Sequence, residues 1–240
     1  MFRPLPGLTV ATLIALAILI ALGIWQLERR TQKHALLSQI AQRTNAPPAP
    51  IEILLASGAY AAHRPATARG TFDHAAEAFV YAPRSDESPA RQGYRILTPF
   101  RLDTGGLILI DRGWIASDHK ASESRKLGQT EGETQLAGVL RPSAAPGTFT
   151  PTPDAKARVF YQRDSAAVAK MLGLSLSSPL VLEATTHVVG GPEPLPTLLD
   201  IPDNHLQYAL TWFSLGVVLI AVYLRMHAVQ GRLRFGRRTE

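Results

Sequence analysis

Two long uncharged stretches, one near each end of the chain, place the strongest constraint on its fold. Residues 8–27 read LTVATLIALAILIALGIWQL, and residues 206–224 read LQYALTWFSLGVVLIAVYL before Arg225. About 20 such residues form a helix about 30 Å long, which matches the hydrocarbon thickness of a bilayer. The sequence therefore predicts a membrane protein with one transmembrane helix at each end and a folded domain between them.

Each stretch has an alternative interpretation. The first resembles the core of a cleaved signal peptide, but such cores usually span about 7–15 residues, and no A-x-A-like cleavage site follows this one. The second resembles the core helix of a soluble domain, but only a basic tail follows it. Two membrane spans are therefore the favoured interpretation.

Basic residues near the spans predict their orientation. Arg3 and the arginines of the tail favour cytoplasmic termini, because basic residues are enriched on the cytoplasmic side. Arg29, Arg30 and Lys33 favour the opposite orientation, but a long middle segment is largely exempt from this rule. The expected organisation is a cytoplasmic stub (1–7), the first span (8–27), a periplasmic domain (28–205), the second span (206–224) and a basic cytoplasmic tail (225–240).

Two further predictions follow from the charge distribution and from the beginning of the chain. Much of the net charge of +6 lies in the termini, so contact with membrane lipid headgroups is expected and nucleic-acid binding is not. The first span begins almost at once, without an Arg- and Ser-rich presequence, which favours a bacterial inner membrane over a mitochondrial one.

The segment between the spans has the pattern of a β-rich α+β domain. Helical periodicity continues past the first span to about residue 43, where the prolines of NAPPAP interrupt it. One further helix is predicted over residues 165–172, with Asp164 as its N-cap and Gly173 at its C-terminal end. Apolar blocks bounded by Gly, Pro, Asp and Ser predict strands at 66–72, 78–81, 94–100, 106–114, 134–141 and 179–184.

The sequence contains none of the common catalytic motifs. It lacks G-x-x-x-x-G-K-[ST], H-E-x-x-H, G-x-S-x-G, G-x-G-x-x-G and C-x-x-C. Cysteine is absent, which excludes disulfides and thiolate metal sites. The histidines lack the i, i+3 or i, i+4 pairing of a helical zinc site. An enzyme is therefore not expected.

Polar and aromatic residues cluster where both spans reach the outer membrane interface. On a helix, His205, Tyr208 and Trp212 share one face, and the end of the first span lies at the same depth. An imidazole beside aromatic rings and cations suits a macrocycle that carries an iron atom and two carboxylates. The alternative is that the aromatic residues are interfacial anchors and the basic residues bind lipid phosphates. The candidate cofactor-binding residues are Trp25, Gln26, Arg29, Arg30, His205, Tyr208 and Trp212.

Three stretches of the sequence carry a family pattern. They are GIWQLER at 23–29, the segment from Gly93-Tyr94 through TPF at 98–100 to DRGWI at 111–115, and NHLQYALTWF at 204–213. With the weaker GVLR at 138–141, they resemble, in order and spacing, the Surfeit locus protein 1 family of cytochrome c oxidase assembly factors. Together they cover nearly the whole chain.

The resemblance implies a non-catalytic helper in the maturation of haem-copper oxidase. Bacterial members of the family are thought to receive haem A and pass it to the catalytic subunit, so that subunit and the haem A synthase are the expected partners. The family's proposed iron ligand corresponds to His205. For Arg112, a structural ion pair and a haem propionate clamp are both open, and Trp114 is interpreted first as a core residue at a strand end.

Three hypotheses follow. The leading one is a membrane-bound assembly factor that binds haem A transiently. Its rival is an assembly scaffold whose domain binds an oxidase subunit by its strand edges without contacting haem. A more distant alternative is an envelope sensor, but the tail after Arg225 is too short for an output domain.

Overall fold

The computed structural model describes residues 3–84, 89–195 and 203–232; the second half of the expected basic tail and part of the stretch before the second span lie outside the described residues. The chain divides into two compact units, one formed by residues 1–39 and 199–240 and the other by Ile40–Leu198. In chain order, the elements are α1 (Pro6–Thr44), β1 (Ala49–Pro50), α2 (Ile51–Ala56), β2 (Pro65–Phe72), β3 (Ala78–Tyr81), β4 (Gly93–Leu102), β5 (Leu107–Ala116), β6 (Thr134–Arg141), β7 (Val159–Phe160), α3 (Ser165–Leu172), β8 (Val181–Ala184) and α4 (His205–Val229).

Helices α1 and α4 supply the first unit and contain the two predicted spans. Both are long and apolar enough to cross a membrane. Helix α1 continues without a break to Thr44 and ends immediately before the proline-rich stretch, as the periodicity predicts. The prediction of an apolar helix at each end of a β-rich domain is thereby confirmed.

Five strands of the second unit close into a barrel. The order β2-β6-β8-β5-β4 returns to its start, because β4 also pairs with β2. Gly70 pairs with Thr134 of β6 and with Leu102 of β4, and a Cβ at this position would overlap the backbone of Arg101. Glycine allows the close approach that this barrel corner requires.

The barrel interior is one of two hydrophobic clusters that the described residues of this unit form. All five barrel strands contribute to it, with Phe100 and Ile110 among its fully buried members. Leu109, on the opposite face of β5, belongs to the second cluster, which includes Val168 of α3. Helix α3 thus covers part of the outer surface of the barrel.

The strand and helix predictions for this unit are confirmed, with boundary differences of a few residues. The Asp164 side chain accepts a hydrogen bond from Ala167 N, and Gly173 adopts the left-handed conformation (φ 67°) that ends α3. The short elements β1, α2 and β7 were not predicted. At both ends of the strand order lie strands of two residues, β1 and β7, which leave little open edge for a partner strand.

Candidate functional site

Helices α1 and α4 pack against each other through small residues. Gly23 of α1 faces Phe213 of α4, and a Cβ at this glycine would overlap the phenylalanine ring. Gly216 of α4 faces Leu16 of α1, whose Cδ1 would lie 3.3 Å from an added Cβ. Small residues let transmembrane helices approach closely, so this arrangement fixes which faces of the two helices meet.

At the ends near residues 5 and 227, polar groups join the two helices. Thr9 Oγ1 and Tyr223 OH are 2.7 Å apart. The fully buried His227 accepts a hydrogen bond from Leu5 N at Nε2 (3.3 Å) and donates from Nδ1 to Tyr223 O (2.9 Å). Because both ring nitrogens are engaged, this histidine is a structural residue of the helix pair.

At the opposite end, His205 contacts α1 through Gln26. His205 Nδ1 lies 2.9 Å from Gln26 Oε1. A carbonyl oxygen can only accept, so Nδ1 carries a proton and donates it to Gln26 Oε1. In an imidazole with its single proton on Nδ1, the lone pair lies at Nε2. No described residue forms a hydrogen bond with Nε2. This tautomer is the one required for metal coordination through Nε2.

Asp203 reinforces the contact one turn further along α1. Its Oδ1 accepts a hydrogen bond from His205 N (3.1 Å), while its Oδ2 lies 2.6 Å from His34 Nε2 and 3.5 Å from Arg30 Nε. The hydrogen bond with His34 is the main cause that lowers the pKa of Asp203. The carboxylate therefore stays ionised at neutral pH and holds the start of α4 against α1.

The remaining predicted residues lie in different places. Gln26 and Arg30 belong to the row of α1 that faces the start of α4, whereas Trp25 is about 160° around the helix from Gly23 and half exposed. Arg29 donates to Gln32 on its own helix (2.9 Å). On α4, Tyr208 is exposed and Trp212 is half-buried. The structure thus brings Gln26 and Arg30 to the entry of α4 and leaves Trp25 on the far side of α1.

An open groove of about 650 Å³ runs along a different face of α4. It begins at Asp203 and includes Leu210, Ser214 and Val218. These positions lie on the opposite side of the helix from Ala209 and Gly216, which are buried. Neither His205 nor the aromatic residues predicted with it line this groove.

In the barrel domain, Arg112 and Trp114 are held by internal contacts. Arg112 Nη1 lies 3.3 Å from Glu77 Oε1, and both side chains are buried, which confirms the structural ion pair. Trp114 is 4% exposed and donates from Nε1 to Ala82 O (2.7 Å), which confirms it as a core residue at a strand end. Within the described ranges, no group of three or more His, Asp or Glu side chains has the arrangement of a metal site.

Comparison with known proteins gives consistent matches across the chain. The model of the SURF1 family matches residues 13–217. Surfeit locus protein 1 of Mus musculus is 32% identical over 209 residues, which cover 81% of this chain and 67% of the relative. Surfeit locus protein 1 of Homo sapiens is 31% identical over 210 residues, covering 81% and 69%. A SURF1-like protein of Rickettsia bellii is 29% identical over 215 residues, covering 88% and 87%.

Proposed function

The chain belongs to the SURF1 family, and on that premise we propose that it is a membrane-bound assembly factor for haem-copper cytochrome c oxidase. In this proposal it binds haem A transiently through His205 and helps its delivery to the catalytic subunit, after receiving it from the haem A synthase. It acts as a carrier without a catalytic step of its own.

The contact between His205 and Gln26 carries the haem part of the proposal. A histidine that binds iron through Nε2 needs its other nitrogen held by an acceptor, which fixes the tautomer and the ring orientation. Gln26 Oε1 provides that acceptor, and Asp203 fixes the backbone of the same residue. This pair spans two helices, so an ordered ligand position depends on their packing.

The surroundings of His205 fit the other parts of a haem. Arg29 and Lys33 lie on α1 within two turns of Gln26 and would supply cations near the propionate groups. Exposed Tyr208 offers an aromatic face one turn along α4. When bound, the haem would supply an iron atom for His205 to ligate, and the protein's part would be to hold and orient the macrocycle.

We place the chain in the bacterial inner membrane, with both termini in the cytoplasm and the barrel domain in the periplasm. The arginine-rich tail and the bacterial relative support this topology. An alkaline phosphatase fusion within the barrel domain should be active, and a fusion after Arg238 should be inactive. The reverse pattern would contradict the proposed topology.

Haem binding is tested with the full-length chain in detergent, titrated with haem A and followed by its absorption spectrum. His205→Ala should abolish the spectrum of histidine ligation. His205→Met should retain coordination with a shifted spectrum, because a thioether also binds haem iron. Gln26→Leu should weaken binding by about 10- to 100-fold, the usual cost of removing a hydrogen bond that orients a ligand.

His187→Ala is the matched control, because this histidine is exposed and lies in the barrel domain. It should bind haem like the wild type. If the His205 and Gln26 variants all matched the wild type in affinity and absorption maxima, His205 would not be the ligand. If the variants also supported normal oxidase assembly, the scaffold hypothesis would be favoured. Deletion of the gene should lower active oxidase but leave haem A synthesis intact.

A further inference from the structure

The barrel domain contains a cavity that the haem proposal does not use. Its volume is about 330 Å³, and its walls come from the end of β5 and from loops on either side. Basic side chains on its walls are Arg91, His119 and Arg125, while Trp114 and Ile115 give it an apolar side. All of these residues belong to the same compact unit.

Arg125 is the unusual member of this wall, because its side chain is only 3% exposed. Its Nε donates to His119 O (2.8 Å), and its Nη2 donates to Glu77 Oε2 (2.9 Å) and Lys120 O (3.1 Å). Its Nη1 is buried and has no hydrogen-bond partner among the described residues. Buried donors are nearly always paired in native proteins, so an unpaired guanidinium nitrogen indicates a missing acceptor.

The charges around Arg125 do not balance. Glu77 is the only carboxylate paired with Arg125 in the described structure, and it also pairs with the buried Arg112. Burial alone would raise the pKa of Glu77, but hydrogen bonds from His74 and Arg125 and the nearby guanidinium charges lower it to about 2. One ionised carboxylate therefore faces two buried guanidinium groups. A buried surplus charge is costly unless a counter-ion is present.

A second arginine lines the same cavity. The Arg91 guanidinium lies 5.2 Å from the centre of the Trp114 ring. Glu193 also lines the cavity, but its carboxylate pairs with Arg84 at 2.9 Å. The cavity thus combines two arginines with an apolar side formed by Trp114 and Ile115.

We propose that this cavity binds a carboxylate or phosphate group, with Arg125 and Arg91 as its cationic partners. A guanidinium presents parallel donors that match the two oxygens of such a group. The Trp114 side accommodates the apolar part of a ligand that carries the anion. A peptide C-terminus and free phosphate both have this chemistry, and the experiment separates them.

The test uses the full-length chain in detergent, with Trp25→Phe and Trp212→Phe so that Trp114 is the only tryptophan. Its fluorescence is followed during titration with inorganic phosphate, N-acetyl-leucine or N-acetyl-leucinamide. Either anion should give a saturable change, and the neutral amide should give none. Tighter binding of N-acetyl-leucine would identify a carboxylate with an apolar neighbour, and tighter binding of phosphate would identify the free anion.

Two variants assign the signal to the cavity. Arg91→Gln should weaken anion binding by about tenfold or more, because it removes a charged hydrogen-bond donor from an exposed position on the cavity wall. Lys126→Gln is the matched control, because it removes an exposed cation beside Arg125 that does not line the cavity. The proposal is overturned if neither anion gives a saturable change, or if Arg91→Gln binds as tightly as the wild type. Both results are independent of haem binding at His205.

Discussion

Glu183 of β8 is the residue whose replacement tests the energetics of the barrel domain most directly. Its side chain is 3% exposed and lies within 3.4 Å of guanidinium nitrogens from Arg95, Arg141 and Arg163. Asp111 shares Arg95 and Arg163 with it, and Arg141 pairs with Glu183 at 3.4 Å. Glu183→Gln keeps the shape of the side chain and removes the charge that pairs with these three guanidinium groups.

Removal of one partner from a buried ion pair costs about 3–5 kcal/mol, because the remaining charge is left uncompensated. With a urea dependence of about 2 kcal/mol per molar, the unfolding midpoint should fall by about 1.5–2.5 M. Glu133→Gln is the matched control, because the pair that Glu133 forms with Arg69 is 3.8 Å long and exposed on both sides. Its cost should be below about 0.5 kcal/mol.

Both variants are compared by urea unfolding of the full-length chain in detergent, followed by the fluorescence of Trp114 in the background that lacks the other two tryptophans. The urea dependence should be equal in the two variants, since neither changes the surface exposed on unfolding. If Glu183→Gln shifted the midpoint no more than Glu133→Gln, the buried charges would not stabilise the domain in the way argued above.

Two further predictions concern acid stability and helix packing. The pKa of Glu77 falls from 4.5 to about 2 on folding. The ionised carboxylate therefore contributes about 3 kcal/mol to the free energy of unfolding above about pH 4.5, and this contribution is lost as the pH falls towards 2. In Glu77→Gln, the unfolding midpoint should be lower at neutral pH and change less across that window than in the wild type. Gly23→Val should slow disulfide formation between Leu16→Cys and Gly216→Cys, because its side chain would separate the helices. The control Gly7→Val, which has open space around it, should not slow that reaction.

The local elements of the fold were predictable because their signals lie within a few residues. Asp164 and Gly173 mark the two ends of α3, and apolar alternation marks the longer strands. Closure of the barrel was not predictable in this way, because the pairing of β2 with β4 depends on residues distant in the sequence. The two-residue strands β1 and β7 carry too few residues for any periodicity.

For the site, the sequence indicated that the candidate residues of the two helices lie at the same level, but not which face of α1 meets α4. Trp25 was predicted to belong to the site because aromatic residues suit a macrocycle. In the structure, however, Gln26 and Arg30 are the predicted residues of α1 that contact the start of α4. Gly23 is the residue from which this face of α1 could have been predicted, because small residues mark close helix contacts in membranes. Gln26 follows Gly23 by three positions and therefore lies near the same face. The same face also includes His34, which reaches Asp203.

The two buried charge clusters of the barrel domain show why only one of them indicates a ligand. In one, Glu77 pairs with the buried Arg112 and Arg125. In the other, Glu183 and Asp111 pair with Arg95, Arg141 and Arg163, and Arg95 Nη1 also donates to Leu195 O at 2.7 Å. Arg125 Nη1 and Arg163 Nε are both buried without a hydrogen-bond partner among the described residues. The difference is that Arg125 lines a cavity large enough for an anion, whereas Arg163 does not line that cavity. A surplus charge beside such a cavity can be neutralised from solution, and this is the physical basis for assigning the anion site to Arg125.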